Sequence, residues 1–401
     1  MTSSSDGSVE ARGPHLHLVD RRGGTDASAR ALIDEARTLD RVGRRVEARI
    51  LYERGLRGLE PSSPTASTLL RWIARTYEVD ADYQAAADCA EAAVASAEVS
   101  GDHSALGHAL NVLAAVRWRQ GELDLAERIF HDALARGTST DPRLQVDVTT
   151  NLGTLARIRG DVREALRCYN EALAHGRRHS LLDNMVGTLN NLGIANLDMG
   201  RLDAAEEALT EALTIANALG GLSMRIELEV NFAALELERR DFAEATRRCD
   251  RAMELAAHLG DARANGEAQK IYGVIARETG DLSAAETFLQ RAREIATDSR
   301  ALALEGDTNR ELAELYQRLG RNRETLQALN RAHSCFTQLR ARHELADVGR
   351  RMARLEGDFL DVVRKWGESI ESKDIHTQGH CERVADLSTA LAAKAGLDEN
   401  S

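Results

Sequence analysis

Asn151, Asn191 and Asn231 stand at steps of 40 residues, each inside a run with helical periodicity. A carboxamide offers both a hydrogen-bond donor and an acceptor. Repeating units stacked side by side would bring the three into a row. Such a row suits clamping the backbone of an extended peptide without reading its side chains. A second reading has each amide bonding locally to a loop. Trp72 takes the same slot earlier in the chain, and Ile271 and Glu311 take it later, so the row is central and does not run the whole length. Acidic residues recur on the neighbouring face at Asp147, Glu227, Glu238, Glu267, Glu278 and Asp307. A basic or amphipathic partner would complement them; an ordinary solvated face is the alternative.

Other reactive side chains carry less. His175 and His179 are one helical turn apart, but Arg177 and Arg178 beside them repel cations, and a metal would need further ligands. His15 and His17 sit in a polar stretch too loose to hold an ion. The five cysteines, Cys89, Cys168, Cys249, Cys335 and Cys381, are far apart and form no CxxC; three recur at similar places in the repeat and read as small packing residues. Residues 29–340 contain no P-loop, nucleophile elbow, HExxH or GxGxxG, so no catalytic residue is assigned there.

The elements that position these residues follow from a repeat. Gly121, Gly160, Gly200, Arg240, Gly280 and Gly320 mark steps of 39, 40, 40, 40 and 40. Small residues recur after each marker, first at Ala126, Ala165, Ala205, Ala245, Ala285 and Thr325, then at Ala133, Ala172, Ala212, Ala252, Ala292 and Ala332. Before each marker stand Ala114, Gly153, Gly193, Ala233, Gly273 and Ala313. Apolar residues at helical spacing flank the marker on both sides. Each unit is therefore helix A, a tight turn, helix B and a short loop, with small residues where helices approach closely. A fixed period of this size predicts stacked supersecondary units.

The segment NNLGIANLDMGRLDAAEEALTEAL resembles the tetratricopeptide (TPR) pattern, although the usual unit is about 34 residues. The resemblance covers about residues 29–340 and implies an all-α, right-handed superhelical solenoid of about eight helix-turn-helix repeats. Two early units, near 29–60 and 64–99, are degenerate. The resemblance also implies that helix A lines a concave groove for a protein or peptide, with Asn151, Asn191 and Asn231 as its contacts. Residues 1–28 are polar and Gly/Ser-rich and read as a disordered tail.

Composition agrees. All four prolines, Pro14, Pro61, Pro64 and Pro142, fall in the tail or near expected loops, as helices require. The net charge of −12 disfavours nucleic acid as a partner. Only four of the 52 basic residues are lysine: Lys270, Lys365, Lys373 and Lys394. No run of apolar residues is long enough for a membrane span or a signal peptide, so the cytoplasm is expected.

The repeat fails after about residue 340. Residues 341–357 read as a capping helix or linker, with Leu345, Val348, Met352 and Leu355 on one face. Residues 358–401 differ in kind. Lys373, Asp374, Thr377, Gly379, His380, Arg383, Val384, Ala385, Gly396 and Leu397 match the opening of HD-GYP domains, metal-dependent phosphodiesterases of cyclic dinucleotides. This resemblance implies a C-terminal helical fragment of an HD-type domain. His380 matches the family's first metal-binding histidine, and His376 stands where members have tyrosine or a glutamate ligand. The family's His-Asp dyad and GYP loop lie downstream, so the expectation is a chain with no catalytic activity and no bound cofactor. A complete HD-type domain would hold a divalent metal of the iron or manganese class. An apolar stripe on the 358–397 helices would suit a homodimer. Two functions follow as expectations: the sensory or docking region of an HD-GYP-type cyclic-dinucleotide phosphodiesterase, or a stand-alone TPR adaptor without enzymatic activity.

Overall fold

The computed structural model describes residues 26–41, 44–80, 82–137, 141–259, 262–339, 341, 344–355, 357 and 387. Among these, sixteen helices run in eight consecutive A–B pairs: α1 (Asp26–Arg41) and α2 (Arg45–Leu56), α3 (Pro64–Val79) and α4 (Tyr83–Ser100), α5 (His103–Arg119) and α6 (Leu123–Gly137), α7 (Pro142–Ile158) and α8 (Val162–Arg178), α9 (Leu182–Asp198) and α10 (Leu202–Leu219), α11 (Leu222–Glu238) and α12 (Phe242–Leu259), α13 (Ala262–Thr279) and α14 (Leu282–Asp298), α15 (Leu302–Arg318) and α16 (Asn322–Gln338). The described residues contain no strand. The first pair begins at Asp26, so the last three residues assigned to the tail are already helical.

The marker residues turn the chain. Gly121, Gly160, Gly200, Gly280 and Gly320 have φ between 67° and 92°, and Arg240 holds φ 62° in the same slot. The residue after each marker returns its N–H to the preceding helix: Asp161 to the carbonyl of Ala156 at 2.9 Å, Arg201 to that of Asn196 at 2.8 Å, Asp241 to that of Glu236 at 2.9 Å. This is the left-handed C-terminal cap that glycine favours.

The small residues lie where the period requires them. Ala126, Ala165, Ala205, Ala245 and Ala285 are all fully buried, as are Ala114 and Ala233. A Cβ on Gly153 would meet the Tyr169 ring at 2.7 Å, and one on Gly273 would meet Leu289 at 2.5 Å. Where the A helix carries glycine in this slot, as in α7, α9 and α13, it leaves a notch that its own B helix fills with one large side chain. The four described cysteines are free and buried, and burial raises their thiol pKa values to between about 11 and about 12.

Between repeats each B helix packs on the next A helix, and like-with-like contacts run through the odd-numbered helices: α3 packs on α5, α5 on α7, α7 on α9, α9 on α11, α11 on α13 and α13 on α15. The closer spacing on that side makes it the concave wall. Residues 344–355 are helical and close the far end, with Val348 buried beside Tyr316 and Phe336. The superhelix also meets itself: a Cβ on Gly121, in the α5–α6 turn, would lie 2.7 Å from the carbonyl oxygen of Gln338 at the end of α16.

Candidate functional site: the concave wall

Hydrogen bonds stitch each A helix to the next along this wall. Asn151 donates from Nδ2 to Oδ1 of Asn111 at 2.9 Å. Asn191 donates to the Thr154 hydroxyl at 3.3 Å, and Asn231 to Oδ1 of Asn190 at 2.7 Å. Deeper in the same seam, the hydroxyls of Thr150 and Thr188 meet at 2.7 Å, and Asn184 donates to Asp147 at 2.7 Å. Each amide reaches the preceding A helix, not a loop. Asn151, Asn191 and Asn231 are half-buried, and among the described residues no donor reaches their Oδ1 atoms. Each therefore keeps an acceptor that no described donor reaches, on a half-buried side chain.

The same slots are closed further along. Arg277, only 8% exposed, crosses from α13 to the Glu311 carboxylate of α15 at 2.8 Å. Lys270 pairs with Glu267 at 2.8 Å and Asp307 at 4.0 Å, and Arg310 pairs with Asp307 at 3.2 Å. Burial works against the charge of Lys270, yet Glu267 and Asp307 outweigh it and hold the pKa above its ordinary value. Burial raises the Asp307 carboxyl despite those cations. Asp147 is likewise raised by burial, against the pull of Asn184, Arg75, His108 and Arg71.

The recurring acids of the wall are thus mostly occupied. Glu227 pairs with Arg263 at 2.6 Å, and Glu278 with Arg318 at 2.8 Å and Arg277 at 3.2 Å. The sequence reading of an acidic face offered to a basic partner overlooked these cations, of which Arg263 and Arg318 come from the next repeat.

The family described as "MalT-like TPR region" matches residues 132–356, more than half of the chain's 401. The chain belongs to the MalT-like TPR family. No curated protein matches this MalT-like TPR chain in sequence. Its fold is shared with solved structures. A Rap protein complexed with competence and sporulation factor is 15% identical, with a TM-score of 0.57 over 79% of this chain and 99% of that one. NprR in complex with its cognate peptide NprX is 13% identical, with a TM-score of 0.53 over 72% and 88%. The APC/C hetero-tetramer Cut9–Hcn1 is 12% identical, with a TM-score of 0.58 over 82% of this chain and 57% of that one. At these identities the likeness establishes the fold alone.

Of the other sequence candidates, His175 contacts Gln145 at 3.1 Å, and His179 caps the end of α8. His376 and His380 lie outside the described residues, as does nearly all of the 358–397 stretch. Sequence reasoning missed Asn111, although it stands 40 residues before Asn151. The step between Gly121 and Gly160 is 39, so counting back from the turn reaches Val112, which is buried. It also missed Arg37, Arg71 and Arg75, which gather around Trp72. The signal was present in the arginines flanking that tryptophan.

Proposed function

We propose that the concave wall of this MalT-like TPR chain binds an extended peptide or protein segment, gripped along α5–α11 by side-chain amides. One observation carries the reading: Asn151, Asn191 and Asn231 each donate to the preceding A helix and keep an acceptor that no described donor reaches. An acceptor held in place by its own donor bond loses little freedom on meeting a peptide N–H. Two of the fold neighbours are named as complexes, one with competence and sporulation factor and one with a cognate peptide. A cytoplasmic setting, where thiols stay reduced, fits the four free buried cysteines. The test is peptide selection on the immobilised chain, followed by affinity measurement on Asn151→Ala/Asn191→Ala/Asn231→Ala. Binding weaker by about ten-fold or more is expected; unchanged affinity retires the row.

A second proposal rests on the ten matching positions between Lys373 and Leu397. In it the scaffold is the docking region of an HD-GYP-type cyclic-dinucleotide phosphodiesterase, with His380, and with it His376, contributing to an iron- or manganese-class metal site. Reading the coding frame past codon 401 tests it. An in-frame His-Asp pair followed by Gly-Tyr-Pro supports the enzyme; a frame without them leaves a stand-alone adaptor.

A further inference from the structure

The α1–α3 end of the groove has a chemistry of its own. Arg37 from α1 and Arg71 and Arg75 from α3 gather around the Trp72 indole, with guanidinium carbons 5.3, 5.7 and 5.0 Å from a ring centroid. Tyr52 stacks on the same indole, centroids 6.1 Å apart and planes within 15°. Its hydroxyl is buried and, among the described residues, has no hydrogen-bond partner.

None of the three arginines forms an ion pair with a carboxylate among the described residues. Elsewhere on the wall arginines are matched: Arg157 to Asp198 at 3.1 Å, Arg277 to Glu311 and Arg310 to Asp307. Asp40, one turn on from Arg37 in α1, acts on Tyr52 together with Arg37 and Arg75, and the two carboxylates whose charge reaches Arg71 are engaged otherwise. Asp141 accepts from His108 at 2.7 Å, from Ser104 at 3.2 Å and from the Arg143 N–H at 2.9 Å. Asp147 accepts from Asn184 at 2.7 Å. Burial, and then the like charge of Arg75, lower the Arg71 pKa to about 10, still far above neutral pH. A chain of net charge −12 therefore holds, at one end of its A-helix wall, a concentration of positive charge without a direct ion pair among the described residues. Such a patch in a concave, low-dielectric setting focuses its field on an incoming anion.

We propose that this arginine–indole cluster is an acidic-residue subsite, receiving aspartate or glutamate side chains of a peptide whose backbone lies on the asparagine row. The inference rests on the peptide reading of the wall. A guanidinium over an aromatic ring keeps N–H edges available for bidentate carboxylate contacts. Three cations exceed what one terminal carboxylate balances, which favours side chains over a free C-terminus. Arg71 and Arg75 lie beyond the first turn of α3, so that helix brings them no N-terminal amides of the kind that phosphate sites use. The cluster continues into the row: α3 packs on α5, which carries Asn111, and Asp147 on α7 feels both Arg75 and Arg71.

The probe is a random octapeptide library, made once with free C-termini and once amidated, passed over the immobilised full chain and sequenced after elution. Peptides with clustered Asp or Glu should be enriched about ten-fold from both pools. Arg71→Gln/Arg75→Gln should abolish that preference while still retaining peptides. Asn151→Ala/Asn191→Ala/Asn231→Ala should lower retention of all of them. Enrichment confined to the free-acid pool overturns the side-chain assignment. Retention without acidic preference overturns the subsite and leaves the groove; retention of neither pool overturns the groove and the subsite together. Should the arginine variant fail to fold, a second readout serves: Trp72 fluorescence in a Trp118→Phe/Trp366→Phe background. Hexaglutamate should shift or quench it at low salt, and no change overturns the proposal.

Discussion

The wall formed by α7, α9 and α11 and the wall formed by α13 and α15 occupy the same slots of the same repeat, yet one is open and the other closed. In the first, the slot holds Asn151, Asn191 and Asn231, whose donors are satisfied by the preceding helix and whose acceptors are free. In the second it holds Ile271, which is buried, and Glu311, which is tied to Arg277. The period sets where a side chain stands, and the neighbouring repeat decides whether its polarity is used up. A groove can therefore be confined to part of a continuous superhelix without any change of backbone.

The closed wall is the place to break this contrast most severely. Removing the cation in Arg277→Met leaves Glu311 half-buried without its partner and should cost about 3 kcal/mol. A lowered urea midpoint by circular dichroism checks it, and a midpoint equal to wild type would mean that the pair does not hold α13 to α15. Peptide binding at the open wall should survive in native conditions.

On the open wall the ranking reverses. The triple asparagine variant should weaken peptide binding by about ten-fold or more, while each substitution costs stability only about 1 kcal/mol for its lost inter-helix bond. Isothermal titration beside urea unfolding separates the two effects. A large stability loss with intact binding would make the row a structural seam and nothing more.

Acid sharpens the comparison at the edge of the open wall. The His108 hydrogen bond, against the cost of burial, holds the Asp141 carboxyl well below its ordinary range. An unfolded aspartate titrates near pH ~3.9. The stabilisation is therefore complete above that pH and is lost as pH falls towards the lower folded value. Asp141→Asn should lose about 1 kcal/mol at neutral pH and converge on wild type in strong acid, as read by stability against pH. A constant gap across the titration would refute the assignment.

The smallest effect lies at the seam between the two walls. Arg240 adopts φ 62° in the α11–α12 turn, where the corresponding residue of every neighbouring repeat is glycine. Its side chain is 79% exposed and reaches Glu278 only at 4.0 Å. Arg240→Gly should raise stability by about 0.5 kcal/mol, and a fall would show that the side chain contributes more than its contacts suggest.

The solenoid was legible because its determinants are small residues at fixed intervals. Ala165, Ala205 and Ala245 are buried for the reason that makes them recur: a larger side chain would separate the helices. The bonding of the asparagines was not legible. It depends on the axial offset between adjacent A helices, which lets Asn191 reach Thr154 where Asn151 reaches Asn111. Nor was the pairing of Glu227, Glu278 and Asp307, since cations are too frequent in this sequence for one to stand out. The arginine cluster joins α1 to α3 in the two units where the period is weakest, so no repeat points from Arg37 to Trp72.

A chain of repeats that touch only their neighbours can gain or lose a unit by duplication or deletion, and its length drifts over generations. The meeting of Gly121 with the Gln338 carbonyl removes that freedom. A unit inserted between α6 and α16 would carry the two past one another by a whole step of the spiral. The number of repeats from the third pair to the eighth is thereby counted by this backbone contact, and the bore of the spiral is inherited with it.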